Sequence, residues 1–267
     1  MKSESRRSSA REYISGLAAA GRHHFVSSEA RAALGVTADA AKLALRRLAK
    51  QGLIATPARG FYVILPPEYR SLGCLPAEQF IPALMKERGR SYYTGLLTAA
   101  QYHGAAHQRP QAFQVFVDRT CRSLVCGMVQ VVFMVRKRLQ EVSVQHLNTP
   151  RGTLRVSTPE ATALDLVGYQ EQAGGLNQVA TVLSELAERL RADKLPAAAD
   201  AAPVAWAQRL GYLLEQVGAP EKAAELERYV RTHAQQSTAL LPGASHEDSQ
   251  RNAAWRLHVN AFVEPEL

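Results

Sequence analysis

The sequence predicts an α+β protein: an N-terminal winged helix-turn-helix, a mixed α/β domain with a small antiparallel sheet, and a helical C-terminal part. Three observations carry this. The first seventy residues read as three short helices and two strands joined by a turn, the middle third changes to strand-like apolar runs, and the last third is rich in alanine and leucine at helical spacing. The expected boundaries are 1–70 for the winged helix-turn-helix, 71–92 for a helical connection and 93–267 for the mixed and helical remainder. With 267 residues, 46% of them hydrophobic, the chain is long enough for two cores, and a disordered tail protein is excluded.

Tyr13, Ile14 and Leu17 make one stripe of a helix from about Ser9 to Ala20, and Gly21 ends it. A second helix from about Ser28 to Leu34 closes at Gly35. Thr37 is a good N-cap for a third, which extends to Gln51. Its 3.6-residue period puts Ala41, Ala44, Leu45 and Leu48 on one face and Lys42, Arg46, Arg47 and Lys50 on the other. Gly52 stops the helix. Leu53-Ile54 then reads as a short strand, Thr56 to Gly60 as a turn and Phe61 to Leu65 as a second strand before Pro66-Pro67. In this arrangement the third helix enters a DNA major groove and the hairpin is the wing, with Arg59 at its tip able to reach a phosphate or the minor groove.

A helix over about Ala77 to Arg88 follows, with Pro82 near its first turn or at an irregularity, and Thr94 is expected to cap a helix that ends at Tyr102. Strands are expected at Ala112 to Val117, Gly127 to Val135, Glu141 to Val144 and Thr153 to Val156, with Arg136, Lys137 and Arg138 capping the long strand with charge. Ser157-Thr158-Pro159-Glu160 is a helix start: Thr158 as N-cap, proline in the first helical position and an acid in the first turn. Helices near Leu176 to Arg191, Pro203 to Val217 and Pro220 to Thr232 turn Leu183, Leu186, Leu190, Leu210, Leu213, Leu214 and Leu226 inward. Trp255, Leu257, Val259 and Phe262 predict that the polar tail docks.

Charge separates the two halves. Of 32 basic and 24 acidic residues, 12 basic and 5 acidic ones fall in residues 1–70, so nearly all of the +8 excess belongs to the winged segment. A basic helix face alone is an ordinary solvated surface. Together with the charge segregation, the short second helix and the basic turn, it points to double-stranded DNA. Arg6, Arg7 and Arg11 would add attraction to the phosphate backbone, the run Ser5 to Ser9 being simpler as a basic arm than as a phosphoacceptor site.

Signs of catalysis are few. Cys74, Cys121 and Cys126 form no Cys-x-x-Cys pair and are expected to be buried thiols. His103 and His107 have the four-residue spacing of a helical metal pair, but Gly104 intervenes and the glutamate of a His-Glu-x-x-His motif is absent. Asp118 has no second carboxylate at two-metal spacing, Asp165 is expected to make a helix-face hydrogen bond, and Gly174-Gly175 lacks the lysine and hydroxyl of a phosphate loop. The expectation is therefore no enzyme and no cofactor or metal. The apolar stretch Val125 to Val135 is too short to span a bilayer and no secretory leader is evident, so a cytoplasmic location without membrane attachment is expected.

Several stretches resemble the AbiEi family, antitoxins and transcriptional regulators of type IV toxin-antitoxin systems. They are Leu45-Arg46-Arg47-Leu48 with Gly52-Leu53-Ile54, Gly60-Phe61-Tyr62-Val63-Ile64 with Pro67-Glu68-Tyr69, Tyr92-Tyr93-Thr94-Gly95-Leu96-Leu97-Thr98-Ala99-Ala100, Tyr102-His103-Gly104, His107-Gln108-Arg109-Pro110, and Val156 to Glu160 running into Ala163-Leu164-Asp165-Leu166. Their order and spacing over about residues 10–170 make the likeness specific. It implies a winged domain that binds inverted repeats in its own promoter, acting as an autoregulatory repressor, and a C-terminal domain that neutralises a nucleotidyltransferase toxin without a stable complex. It supplies no catalytic residues. The competing readings are a protein-interaction adaptor built on a winged scaffold with no specific operator, and a nuclease or nucleotidyltransferase acting through Asp118 or Asp165.

Overall fold

The computed structural model describes residues 9–105, 110–245 and 247–265. Two compact units are interleaved along the chain. One comprises the described residues up to Arg90 with 121–133 and 147–154, and the other 91–120, 134–146 and the described residues from Arg155 on.

The first unit opens with α1 (Ala10–Ala19), β1 (His24–Val26), α2 (Ser27–Leu34), α3 (Ala38–Lys50), β2 (Ile54–Ala58) and β3 (Phe61–Ile64), the element order of a winged helix-turn-helix. Ser9 and Glu12 close a capping box on α1: the Ser9 hydroxyl accepts from the Glu12 N–H at 3.2 Å, and the Glu12 carboxylate accepts from the Ser9 N–H at 2.8 Å. Ile14, Phe25, Ala30, Leu45, Leu48, Ile54 and Ile64 form the core, with Phe25 stacked on Tyr62. The strand β1 was not expected. It pairs antiparallel with β3, which also pairs with β2, so the wing is a three-stranded sheet in the order β1-β3-β2. The expected turn over Thr56 to Gly60 shrinks to Arg59-Gly60, because β2 continues to Ala58 through a register shift between Ala55 and Ala58 that absorbs the extra residues.

Beyond the wing, α4 (Ala77–Glu87) holds Pro82 inside the helix. Gln79 accepts from the Arg151 guanidinium at 2.6 Å and donates to the Tyr69 hydroxyl at 2.9 Å.

In the second unit β4 (Tyr92–Thr94) takes the place expected for a helix start. Tyr92 and Tyr93 favour a strand, Thr94 pairs with Val115 and Val156, and the cap of α5 (Leu96–Tyr102) passes to Gly95. A Cβ on Gly95 would stand 2.5 Å from the Phe116 ring. The neighbours of β4 are the antiparallel β5 (Phe113–Val117) and the end of β9, which is parallel to it, so the expected sheet is mixed at this point.

Between these, β6 (Leu124–Cys126) and β7 (Val129–Val135) form a hairpin where a single strand was expected. The strand expected at Glu141 to Val144 is instead a 3₁₀ turn, Leu139–Glu141, closed by the Arg138–Glu141 ion pair; β8 (Val144–Thr149) follows it and precedes β9 (Gly152–Ser157).

The Thr158 hydroxyl caps α6 (Pro159–Gly168), accepting from the Ala161 N–H, as the sequence predicts. The long helix expected up to Arg191 ends at Leu186. There α7 (Leu176–Leu186) gives way to 3₁₀ turns and the short α8 (Leu195–Ala199), and the buried Glu160 carboxylate accepts from the Arg191 N–H at 3.1 Å. Helices α9 (Val204–Gln216) and α10 (Pro220–His233) complete the bundle, and all seven leucines predicted to face inward are buried.

The tail returns as β10 (Thr238–Ala239), β11 (Gln250–Asn252) and β12 (Leu257–Val259). Trp255 is fully buried over Gly211, where a Cβ would fall 2.0 Å from the indole, and the Gln208 amide donates to the carbonyls of Gln236, Trp255 and Arg256. Phe262 departs from the expected docking: it is 81% exposed, while the tail is held on either side of it, by Asn260, which bonds both polar groups of the Leu241 backbone, and by the Glu264 N–H, which donates to Asn177 at 3.2 Å.

Candidate nucleic-acid interface

Helix α3 turns Ala41, Leu45 and Leu48 into the core and leaves Lys42, Arg46, Arg47 and Lys50 exposed. Its start is set by the Thr37 hydroxyl, which accepts from the Ala40 N–H at 3.3 Å, and α2 ends at Gly35 in the left-handed region, φ +61°. Arg59 is exposed at the wing tip, and Gly60 at φ +78° is the residue a tight turn requires there. The wing is tied to α2 by the Ser27 N–H, which donates to the Gly60 carbonyl at 2.9 Å. Among the described residues, Lys42, Arg46, Arg47, Lys50 and Arg59 form no ion pair, so their charge is directed at solvent.

Between the start of α2, the first half of α3 and the wing runs a groove of about 620 Å³, lined by Ser27, Ser28, Arg31, Lys42, Arg59 and Tyr62 among others, with no carboxylate in its walls. Three cations and three hydroxyls line one concavity, donors of the kind that the oxygens of a phosphate group accept from. Lys42 of α3 and Arg59 of the wing thus line the same groove. Arg11 does not join them: its guanidinium donates to Gln51, beyond the C-terminal end of α3, at 2.9 Å. Arg6 and Arg7 lie outside the described residues.

The sequence reading missed Arg31, Ser27 and Ser28, and it missed Leu43. That side chain is 52% exposed next to Lys42 and one turn before Arg46 and Arg47, an apolar group on a cationic face that fits the C5-methyl of thymine. Its signal was available as a leucine off the apolar stripe of the helix.

Of the groups considered for catalysis, His103, Asp165 and Gly175 hold structural roles. His103 caps the end of α5, and its Nε2 lies 2.8 Å from the Ser157 carbonyl; His107 is outside the described residues. Asp118 is exposed at the end of β5, and Gly175 is the N-cap of α7.

Asp165 makes more than a helix-face bond. It is buried and accepts from the Tyr93 hydroxyl at 2.7 Å and from Arg136 Nε at 3.1 Å, so Arg136, expected to cap the long strand with charge, is engaged in a buried ion pair instead. Arg136 is only 5% exposed, donates to the Ala201 and Lys137 carbonyls, and lies 4.5 Å from the centre of the Trp206 ring. Burial pushes the Asp165 carboxyl up from 3.8 to about 6, outweighing the Arg136 charge and the two hydrogen bonds.

The folded chain therefore binds this proton more tightly than the unfolded chain does. The contribution is present in full below about pH 4 and is lost as pH rises through about 6. Urea unfolding of wild type and Asp165→Asn at pH 4 to 7 checks this: the wild type should lose stability relative to the variant across that interval, and parallel curves would refute the shift.

Residues 93–216 match the family model described as the AbiEi antitoxin C-terminal domain. Among solved structures, the crystal structure of the RV2827C protein from Mycobacterium tuberculosis superposes with a TM-score of 0.66 at 18% identity, covering 93% of this chain and 90% of that one, a likeness of fold. No curated protein matches the sequence. Among the described residues, no cluster of three or more His, Cys, Asp or Glu could hold a metal ion, and no helix is long and apolar enough to cross a membrane. Over residues 93–216 the chain is thus similar to the C-terminal domain of the AbiEi antitoxins.

Proposed function

We propose that the protein is a sequence-specific DNA-binding repressor that occupies inverted repeats in its own promoter and serves as the antitoxin of a type IV toxin-antitoxin system. The observation that carries the DNA reading is the exposed cationic face of α3, Lys42, Arg46, Arg47 and Lys50, set beside a wing that ends in Arg59. Arginine pairs bidentately with guanine O6 and N7 while lysine acts as a point charge, and Arg31 with Ser27 and Ser28 adds a seat for a backbone phosphate.

In this reading residues 1–70 are the DNA-binding domain, 71–92 the helical connection and 93–267 the antitoxin domain. Repression is by occupancy, since a protein covering the promoter blocks polymerase without chemistry of its own. The toxin partner is a nucleotidyltransferase, neutralised in the cytoplasm without a stable complex, and the match to an antitoxin domain over residues 93–216 supports that pairing.

A mobility-shift titration of the DNA upstream of its own gene against a scrambled duplex tests the proposal. Tighter binding to the upstream DNA, falling steeply as salt rises, is expected. Equal, weak binding to both duplexes would refute it.

A further inference from the structure

Two stretches of the first unit, 72–74 and 126–128, are pressed together more closely than side chains allow. The Met128 N–H donates to the Leu72 carbonyl at 2.9 Å. A Cβ on Gly127 would fall 2.2 Å from the Leu72 carbonyl oxygen and 2.8 Å from the Gly73 Cα, so only glycine fits; its φ of +57° also suits the first corner of the two-residue turn that joins β6 to β7. A cysteine stands immediately outside each glycine: Cys74 after Gly73 and Cys126 before Gly127. Both are free thiols, Cys74 fully buried and Cys126 half-buried, carried on the two segments that the Met128–Leu72 bond and the Gly73–Gly127 contact hold together. The third thiol, Cys121, accepts from the Arg88 guanidinium at 3.1 Å.

We propose that Cys74 and Cys126 are a redox-sensitive pair, closed to a disulfide by a peroxide, with Cys126 the attacking sulfur and Cys74 the resolving one. The division of labour follows from exposure and surroundings. Cys74 is fully buried, and its neighbour Cys126 and its burial push its thiol up, whereas Cys126, beside Cys74 and the Thr56 N–H of the wing, is pushed below the usual thiol range. Of the two, Cys126 is the one open to an oxidant in solvent.

The Cys126 thiolate attacks one peroxide oxygen. The S–O bond forms, the O–O bond breaks, the departing hydroxide takes up the proton that Cys126 gave up, and the sulfur becomes a sulfenic acid. The Cys74 sulfur then attacks that sulfur: the S–S bond forms, the S–O bond breaks, and hydroxide leaves as water with the Cys74 proton. In total two thiols and one peroxide give a disulfide and two waters. The product staples the β6–β7 hairpin to the segment that follows the wing.

The test treats the full chain with hydrogen peroxide, then unfolds and alkylates it. The three cysteines should fall to one alkylatable thiol, and peptide mapping should join Cys74 to Cys126. Cys126→Ser should keep its two remaining thiols, whereas Cys121→Ser should lose both of its own. The mapping on the unmodified sequence needs no variant to fold. Three alkylatable thiols after a treatment that oxidises a free cysteine peptide, or a crosslink through Cys121, would overturn the assignment.

Discussion

Exchanging Arg136 for leucine should destabilise the fold by about 3–5 kcal/mol, the cost of leaving one member of a buried ion pair without the other. The magnitude rests on how many groups the guanidinium satisfies at once. It donates to Asp165, to the Ala201 carbonyl and to the Lys137 carbonyl, and it lies against the Trp206 ring. Leucine fills part of the volume and donates nothing, so Asp165 keeps only the Tyr93 hydroxyl as a donor. Its carboxyl then takes up a proton at neutral pH, which limits the loss without restoring the carbonyl bonds.

Replacing Asp165 as well, in Arg136→Leu/Asp165→Leu, should recover part of the stability, because the two burial penalties are removed together. Equilibrium urea unfolding of the three proteins measures both effects. A single variant within about 0.5 kcal/mol of wild type, the range of ordinary surface changes, would show that the pair is not the buried element described here.

The second large effect belongs to α3. Arg46→Ala or Arg47→Ala should cost about 1–3 kcal/mol of operator binding, roughly tenfold to a hundredfold in Kd, and should relax preference at one base pair if that arginine forks onto a guanine. Lys42→Ala or Lys50→Ala should instead weaken all sequences alike and lower the slope of log affinity against log salt by about 1. Titrations of each variant against the operator and single-base substitutions of it separate the two classes. Unchanged binding in all four would contradict the assignment of α3 as the recognition helix.

The winged arrangement was legible because each of its helices carries its own punctuation. Gly21, Gly35 and Gly52 follow the three helix ends, Thr37 caps the third, and the cations of α3 fall opposite its apolar stripe by period alone. The strand β1 was hidden by its length, three residues that acquire a strand's role only by pairing with β3. Likewise, Thr94 looks like a cap in sequence, but two partner strands claim it and leave the cap to Gly95.

The candidate site was half legible. Charges on one helix can be read from spacing, whereas Arg31, Ser27 and Ser28 join Lys42 and Arg59 only when the wing folds back on α2. Long-range pairs leave no local trace at all. Arg136 reads as one of three surface cations until Asp165, 29 residues away, is placed against it, and the same holds for Cys74 and Cys126. Periodicity reports burial of apolar residues, not the partners of buried polar ones.

The central claim, that the basic face of the winged unit recognises a specific operator, is tested most directly by a footprint on the DNA upstream of the protein's own gene, titrated at two salt concentrations. The account predicts two paired protected sites at low protein, with the titration moving to higher protein at the higher salt while the protected positions stay the same. Uniform protection along the fragment, or none at either salt, would contradict it.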